Sequence, residues 1–349
     1  MNEPVTTGTL GRKLPILLTV LIVLCAAWTG GWFWLRNEVG RRIDDEITKF
    51  ATRGITVTCA NRTIGGWPFR LDIDCDDPGV AEIDRLASIK LKHLRLTALI
   101  YNPTLIIAEL DGPLDATGPN GEHAVASWSL LQASLGLSIS PTIKPNTLAV
   151  AGDAITASFA RPGAQEFQLV TRHGELHARP APDAAPGSTD ADLALTLAQA
   201  IITTGDRTIG PENVDWSAAV TARHLPRTIS DEGFPRAWAA NQAHLDIRSA
   251  KMGLGAFTLE GKGDLDIGID GLMNGRIKLT ATNLAALMVA GGQSGRGRAE
   301  LMGLATAFTL FGKSAGPDAP ASSRTLDVSI DHSQIKIGPT SVGRLAPLF

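Results

Sequence analysis

Hydrophobic positions fall into three successive patterns along the chain. From Leu14 to Leu35 they form an uncharged run, and a helix needs roughly 20 apolar residues to cross a bilayer core. From Asn37 to Arg53 the spacing is helical, with Val39, Ile43, Ile47 and Phe50 on one stripe and charges between them, which predicts a stalk helix. From Ile55 onward the period becomes two, in short runs bounded by Gly, Pro, Asn and Asp. Phe69, Leu71, Ile73 and Cys75 share one face, while Arg70, Asp72 and Asp74 take the other. Similar runs occur at Ser88 to Ala98, Leu105 to Leu110, Leu148 to Phe159, Glu166 to Val170, Glu175 to Ala178 and Trp216 to Arg223. Strands in series with few helices predict a mainly β fold, a long curved antiparallel meander behind a transmembrane helix.

The Phe257 to Ala281 stretch predicts a hairpin, with Leu265, Ile267 and Ile269 alternating against Asp264, Asp266 and Asp270, and Asn274-Gly275 as its turn. Asn283 is placed to cap a helix through Leu287, and Arg298 to Phe311 predicts a second helix, the two plugging one end of the sheet. The glycine-rich Gly291 to Gly297 reads as the break between them. A last hairpin is expected from Thr325 to Ile330 and Gln334 to Ile337, before a tail from Pro339 to Phe349. Four segments follow: a cytoplasmic N-terminus (1–13), an anchor (14–35), a stalk (36–53) and a β-rich domain (54–349), with a loop at Pro180 to Thr189 as a possible subdivision.

Arg12 and Lys13 close one end of the apolar run, and Trp28, Trp32, Phe33 and Trp34 gather at the other, where amphipathic rings favour the membrane interface. A single-pass anchor in a bacterial inner membrane is expected, with the bulk of the chain in the periplasm. A cleaved signal peptide remains the alternative, because Cys25, Ala26 and Ala27 are small residues after an apolar run. Arg36, Arg41 and Arg42 follow the segment, so basic residues alone do not decide its orientation. Beyond Cys25 the chain has only Cys59 and Cys75, an isolated pair that suits a disulfide in an oxidising compartment. If Ile55 to Ile64 pairs with Arg70 to Cys75 around Gly65 to Phe69, Cys59 falls opposite Cys75; two unbonded thiols are the alternative.

With 44% hydrophobic residues the chain is core-bearing rather than disordered, and a net charge of −3 gives no nucleic-acid footprint. Tyr101 is the only tyrosine, and the aliphatic palette fits plain strands better than an aromatic cleft. Enzyme signatures are weak. His173 and His177 flank Gly174, Glu175 and Leu176, which departs from the helical zinc-protease pattern, with Gly174 read as a turn residue. Gly253 to Gly255 and Gly261 to Gly263 lack the third glycine of a dinucleotide loop and read as bulges or turns. No catalytic residue, cofactor or metal is assigned.

Cys59 through Cys75, with Trp67-Pro68-Phe69-Arg70 between, resembles the start of the DUF2125 family, and Leu326 to Phe349 resembles its C-terminal signature. Leu259 to Leu287 is similar to the hairpin-plus-helix ending of AsmA-like proteins. Together these resemblances imply a membrane-anchored periplasmic sheet folded into a trough. The second adds a role in phospholipid traffic or envelope homeostasis. Membrane lipids, and other envelope proteins in a scaffold alternative, are the expected partners. Trp67, Pro68, Phe69 and Arg70 are the candidate lipid or partner contacts, Arg70 through its guanidinium and a lipid phosphate; the structural alternative is that Trp67 and Phe69 plug the end of the trough, Pro68 fixes the turn and Arg70 makes an ion pair. An acyl chain of about 16 carbons in water costs roughly 0.8 kcal/mol per methylene, so a carrier must offer it a continuous apolar lining. About 15 strands at 4.8 Å would make a sheet roughly 70 Å wide.

Overall fold

The computed structural model describes residues 10–82, 86–139, 144–185, 187–205, 207–208, 213–227, 233–291, 298–316, 320 and 322–349. Helix α1, Leu10–Ala51, is continuous, so the expected anchor and the expected stalk are one helix. Next come β1 Ile55–Gly65, β2 Arg70–Glu82, β3 Ala87–Lys90, β4 His93–Leu99, β5 Asn102–Asp111, β6 Leu114–Thr117, β7 His123–Ser127 and β8 Leu130–Ser138. The middle of the chain forms β9 Lys144–Ala160, β10 Phe167–Pro180, β11 Ala191–Thr204, β12 Arg207–Thr208, β13 Val214–Arg223, α2 Phe234–Ala240 and β14 His244–Leu254. The remainder forms β15 Phe257–Ile267, β16 Met273–Thr282, α3 Leu284–Gly291, α4 Arg298–Phe311, β17 Lys313–Ser314, β18 Ser323–Asp331, β19 Gln334–Ile337 and β20 Thr340–Arg344.

Among the described residues the strands form one 20-stranded antiparallel sheet. Several share a rung. β3 and β4 both pair with β2, and β7 and β8 both pair with β9, with β6 and β5 between them. A crease separates these half-strands. It runs from the left-handed residues Asn61 in β1 and Asp77 in β2 to Ala154 in β9. Trp128, at the β7–β8 break, donates its indole N–H to the Leu110 carbonyl at 2.7 Å. Bulged residues bend strands in this way.

Some expected boundaries move. Ser88 to Ala98 divides into β3 and β4, and the two runs at Glu166 to Val170 and Glu175 to Ala178 fuse into β10, so Gly174 lies mid-strand rather than in a turn. Asn274-Gly275 is not the β15–β16 turn: the chain reverses at Gly268 to Leu272, where Gly271 takes φ +74° and Asp270 accepts the Leu272 N–H. Gly275 sits inside β16 because a Cβ there would come 2.1 Å from the Asp264 carbonyl oxygen. Asn274 instead accepts the His332 N–H from the neighbouring turn. Asn283 precedes α3, but its amide donates to the Ala256 carbonyl and its oxygen accepts from Ser322, so its side chain ties loops together rather than capping the helix. α4 starts and ends where the sequence places it. Beyond Gly291, the glycine-rich break lies outside the described residues.

Candidate functional site, an apolar sheet face

Cross-strand register decides which side chains share a face, because paired residues point the same way. One row starts beside α1 at Ile64 and passes through Ile73, Leu96, Ala108, Ala133, Val150 and Leu176. It continues through Leu195, Ala218, Ala250, Gly261 and Leu279 to Leu326 in β18. The next row, Leu71, Ala98, Ile106, Leu135, Leu148, Ala178, Leu193, Val220, Ile247, Gly263, Ile277 and Val328, is equally free of polar side chains. The opposite face carries Asp74, Arg95, Glu109, Gln132, Glu175, Thr196, Ser217, Lys251, Glu260 and Thr280 along one row, interrupted by Ala151 between Gln132 and Glu175. The sheet is therefore amphipathic from the helix-bearing edge to β18.

Two of these strands keep their apolar phase only by means of bulges. In β14 an irregularity at Arg248 and Ser249 lets both Ile247 and Ala250 face the same side. In β11 the left-handed Gln199, whose N–H is held by the Asp215 carboxylate, shifts the register between Leu197 and Ala200. The crease does the same in β9. A Cβ at Gly152 or Gly174 would meet the Ile155 Cδ1 at 3.0 or 3.1 Å, so Ile155, Ala157 and Phe159 join the face of Val150 and Leu176.

The face is closed at both ends of its C-terminal strands. Phe308 and Ala305 of α4 and Leu287 of α3 pack on Val214, Met252, Phe257 and Ala281 at one end. At the other, Trp238 and Ala239 of α2 pack on Ala222 and Ile267, and the Trp238 indole donates to the Arg223 carbonyl at 2.7 Å. Between the plugs lies a cavity of about 390 Å³ lined by Leu195, Leu197, Trp216, Ile247, Met252, Leu259, Ile277 and Leu279, among others. Its lining comes from β11 and from β13 to β16, so the sheet is concave there.

The hairpin expected at the N-terminal edge is present, and Cys59 and Cys75 form a disulfide with a Cα–Cα distance of 5.4 Å. Its register differs from direct opposition. Gly65 pairs with Asp72, three positions off the expected alignment, and bulges around Ala60 bring the two cysteines together. The Gly66 to Phe69 turn docks on α1: the Trp28 indole donates to the Pro68 carbonyl at 2.9 Å, and the Trp32 indole to the Arg70 carbonyl at 3.0 Å. Phe69 also lies 6.1 Å from the Trp28 ring, centroid to centroid. Trp32 is buried by this contact, whereas Trp34 stays exposed. Arg70 pairs with Asp72 at 2.8 Å, so a lipid phosphate would have to compete with that carboxylate.

A family model described as an uncharacterized protein conserved in bacteria (DUF2125) matches residues 32–346. The chain belongs to the DUF2125 family. No curated protein and no solved structure matches it. In this DUF2125 protein the matched region begins at Trp32, whose indole holds the turn, and contains every described strand of the sheet.

The polar face of the DUF2125 sheet is rich in paired charges. His173 lies 2.7 Å from Asp153 and 3.0 Å from Glu175, and hydrogen bonding to Glu175 first and Asp153 second raises its pKa. Burial alone would raise the pKa of Asp192, but hydrogen bonds from Thr221 and Arg179, with Arg248 nearby, hold it below the usual carboxylate range. Among the described residues, no group of three or more His, Cys, Asp or Glu side chains is placed to hold a metal ion. The sequence pattern showed the long apolar N-terminal helix, the hairpin and its disulfide, but not β11 and β14, which line the cavity, or α2, which closes one end of the face.

Proposed function

We propose that this protein is a non-enzymatic carrier or receptor for acyl chains, anchored in the bacterial inner membrane by α1 with its sheet in the periplasm. The supporting observation is the apolar face, which extends from the strand packed on α1 to the cavity between the helical plugs. A sheet alternating apolar and polar residues buries its apolar side in most proteins. Here the middle of that side is uncovered, with Leu176 and Leu195 each 39% exposed. An acyl chain of about 16 carbons laid along it would be relieved of more than roughly 10 kcal/mol of unfavourable hydration. The resemblance of Leu259 to Leu287 to AsmA-like endings accords with a role in phospholipid traffic or envelope homeostasis.

Native mass spectrometry of the full chain in mild detergent, with lipid extraction of the same sample, tests this reading. Stoichiometric phospholipid that is lost in a folded Leu195→Asp variant supports it. A folded, empty protein contradicts it. A second reading, an envelope scaffold, draws on β20, an edge strand exposed at all five residues and able to accept a partner strand. That reading gains if the empty protein instead retains a stoichiometric protein partner that is lost with Val342→Pro.

A further inference from the structure

We propose that the Gly66 to Phe69 turn is itself seated in the bilayer, at acyl depth, where it forms a fixed inlet to the apolar face; this rests on reading α1 as the membrane anchor. Depth follows from the helix. Arg36 is the first charged residue after the uncharged run, and its side chain donates to the Ile64 carbonyl at 2.8 Å. Trp28, which holds the Pro68 carbonyl, lies eight residues earlier, about 12 Å along an α-helix. That exceeds the interfacial layer, which is roughly 5 to 8 Å thick on each side of the hydrocarbon core. β1 runs back along α1 toward the membrane, since Arg62 pairs with Asp44 at 2.7 Å while Ile64 reaches Arg36.

The turn is built for that surrounding. Backbone polar groups in hydrocarbon must find partners within the protein. The Ile64, Pro68 and Arg70 carbonyls accept from Arg36, Trp28 and Trp32 of α1, the Gly66 carbonyl from the Arg70 N–H, and the Phe69 carbonyl from the Ile100 N–H. Within the turn the side chains left outside are apolar, Trp67 56% exposed and Phe69 60%, while the exposed guanidinium of Arg70, just beyond it, is neutralised by Asp72 at 2.8 Å. Tyr101, 74% exposed, follows Ile100 in the adjoining β4–β5 turn. Ile64, Leu71 and Ile73, where the apolar rows begin, lie directly behind the turn. An acyl chain could therefore pass from the bilayer onto the sheet without crossing water.

The full chain, carrying Cys25→Ser and reconstituted in phosphatidylcholine vesicles, would be nitroxide-labelled without reductant at Trp67→Cys or Phe69→Cys. Leu21→Cys in α1 and Val342→Cys in β20 serve as references. Power saturation compares accessibility to oxygen, which concentrates among acyl chains, with accessibility to a water-soluble nickel chelate. Labels at 67 and 69 are expected to favour oxygen several-fold more than the label at 342, approaching the one at 21. Adding Trp28→Phe, which keeps the ring but loses the donor to Pro68, is expected to raise nickel access at 67. If 67 and 69 meet nickel freely while 21 does not, the turn rides above the bilayer and this inference alone falls. If 21 also meets nickel, the anchor reading falls with it.

Discussion

From β13 to β19 the apolar face is closed at its ends by helices, whereas from β4 to β10 the same face has no helix on it among the described residues. In the first region Phe257 and Phe308 are fully buried within one core cluster. In the second, Leu148, Leu176 and Phe159 remain partly exposed, although they stand in the same cross-strand rows or on the same face. Identical alternation therefore yields a core where a helix is supplied and a groove where none is. Strand patterning sets which side is apolar, and the helices set where that side is spent on stability.

The largest effect should separate the two regions. Phe308→Ala removes a fully buried ring and is expected to cost about 3 to 5 kcal/mol, while Leu176→Ala on the open face should cost less than about 1 kcal/mol. Equilibrium denaturation of the solubilised protein reads both, and equal losses would erase the distinction. Next, Cys59→Ser with Cys75→Ser opens a link of sequence separation 16, worth about 3 kcal/mol in the chain-entropy model. Reductant should give the same loss in the native protein and none in the double variant. Smaller in stability but decisive for binding, Leu176→Asp should shift unfolding by under about 1 kcal/mol while abolishing bound lipid. Loss of folding would mean that the open face is core after all.

The smallest effect belongs to the polar face. The folded-state pKa of His173 is raised by Glu175 and Asp153, so its contribution is full below the unfolded value of about 6.5 and disappears as pH rises through the folded one. The midpoint difference between the native protein and His173→Gln should therefore shrink from about pH 6 to about pH 8. A difference that grows with pH would reverse the assignment.

Much of this was legible in the sequence. The uncharged run, the Cys59 to Cys75 hairpin and helix α4 are local patterns that survive in the fold. β11 and β14 were hidden because their bulges, at Gln199 and at Arg248 and Ser249, break strict alternation where apolar residues must change parity to stay on one face. Asn274-Gly275 misled for a different reason: its glycine answers a close backbone approach from Asp264, a contact from the neighbouring strand β15 that turn statistics do not contain. The docking of Trp28 and Trp32 on the turn was out of reach because it joins residues 40 and 38 positions apart.

The central claim is that one side of the sheet, and not the other, meets acyl chains. Adjacent residues of β10 test it most directly: Leu176 is on the apolar face and His177 on the polar one, and both are exposed. A benzophenone amino acid would be placed at either position in the full-length protein in cells, irradiated, and the purified chain examined by mass spectrometry. Phospholipid adducts at 176 and none at 177 are the predicted result. Equal labelling at the two positions, or labelling at neither while the protein is folded, would contradict the account.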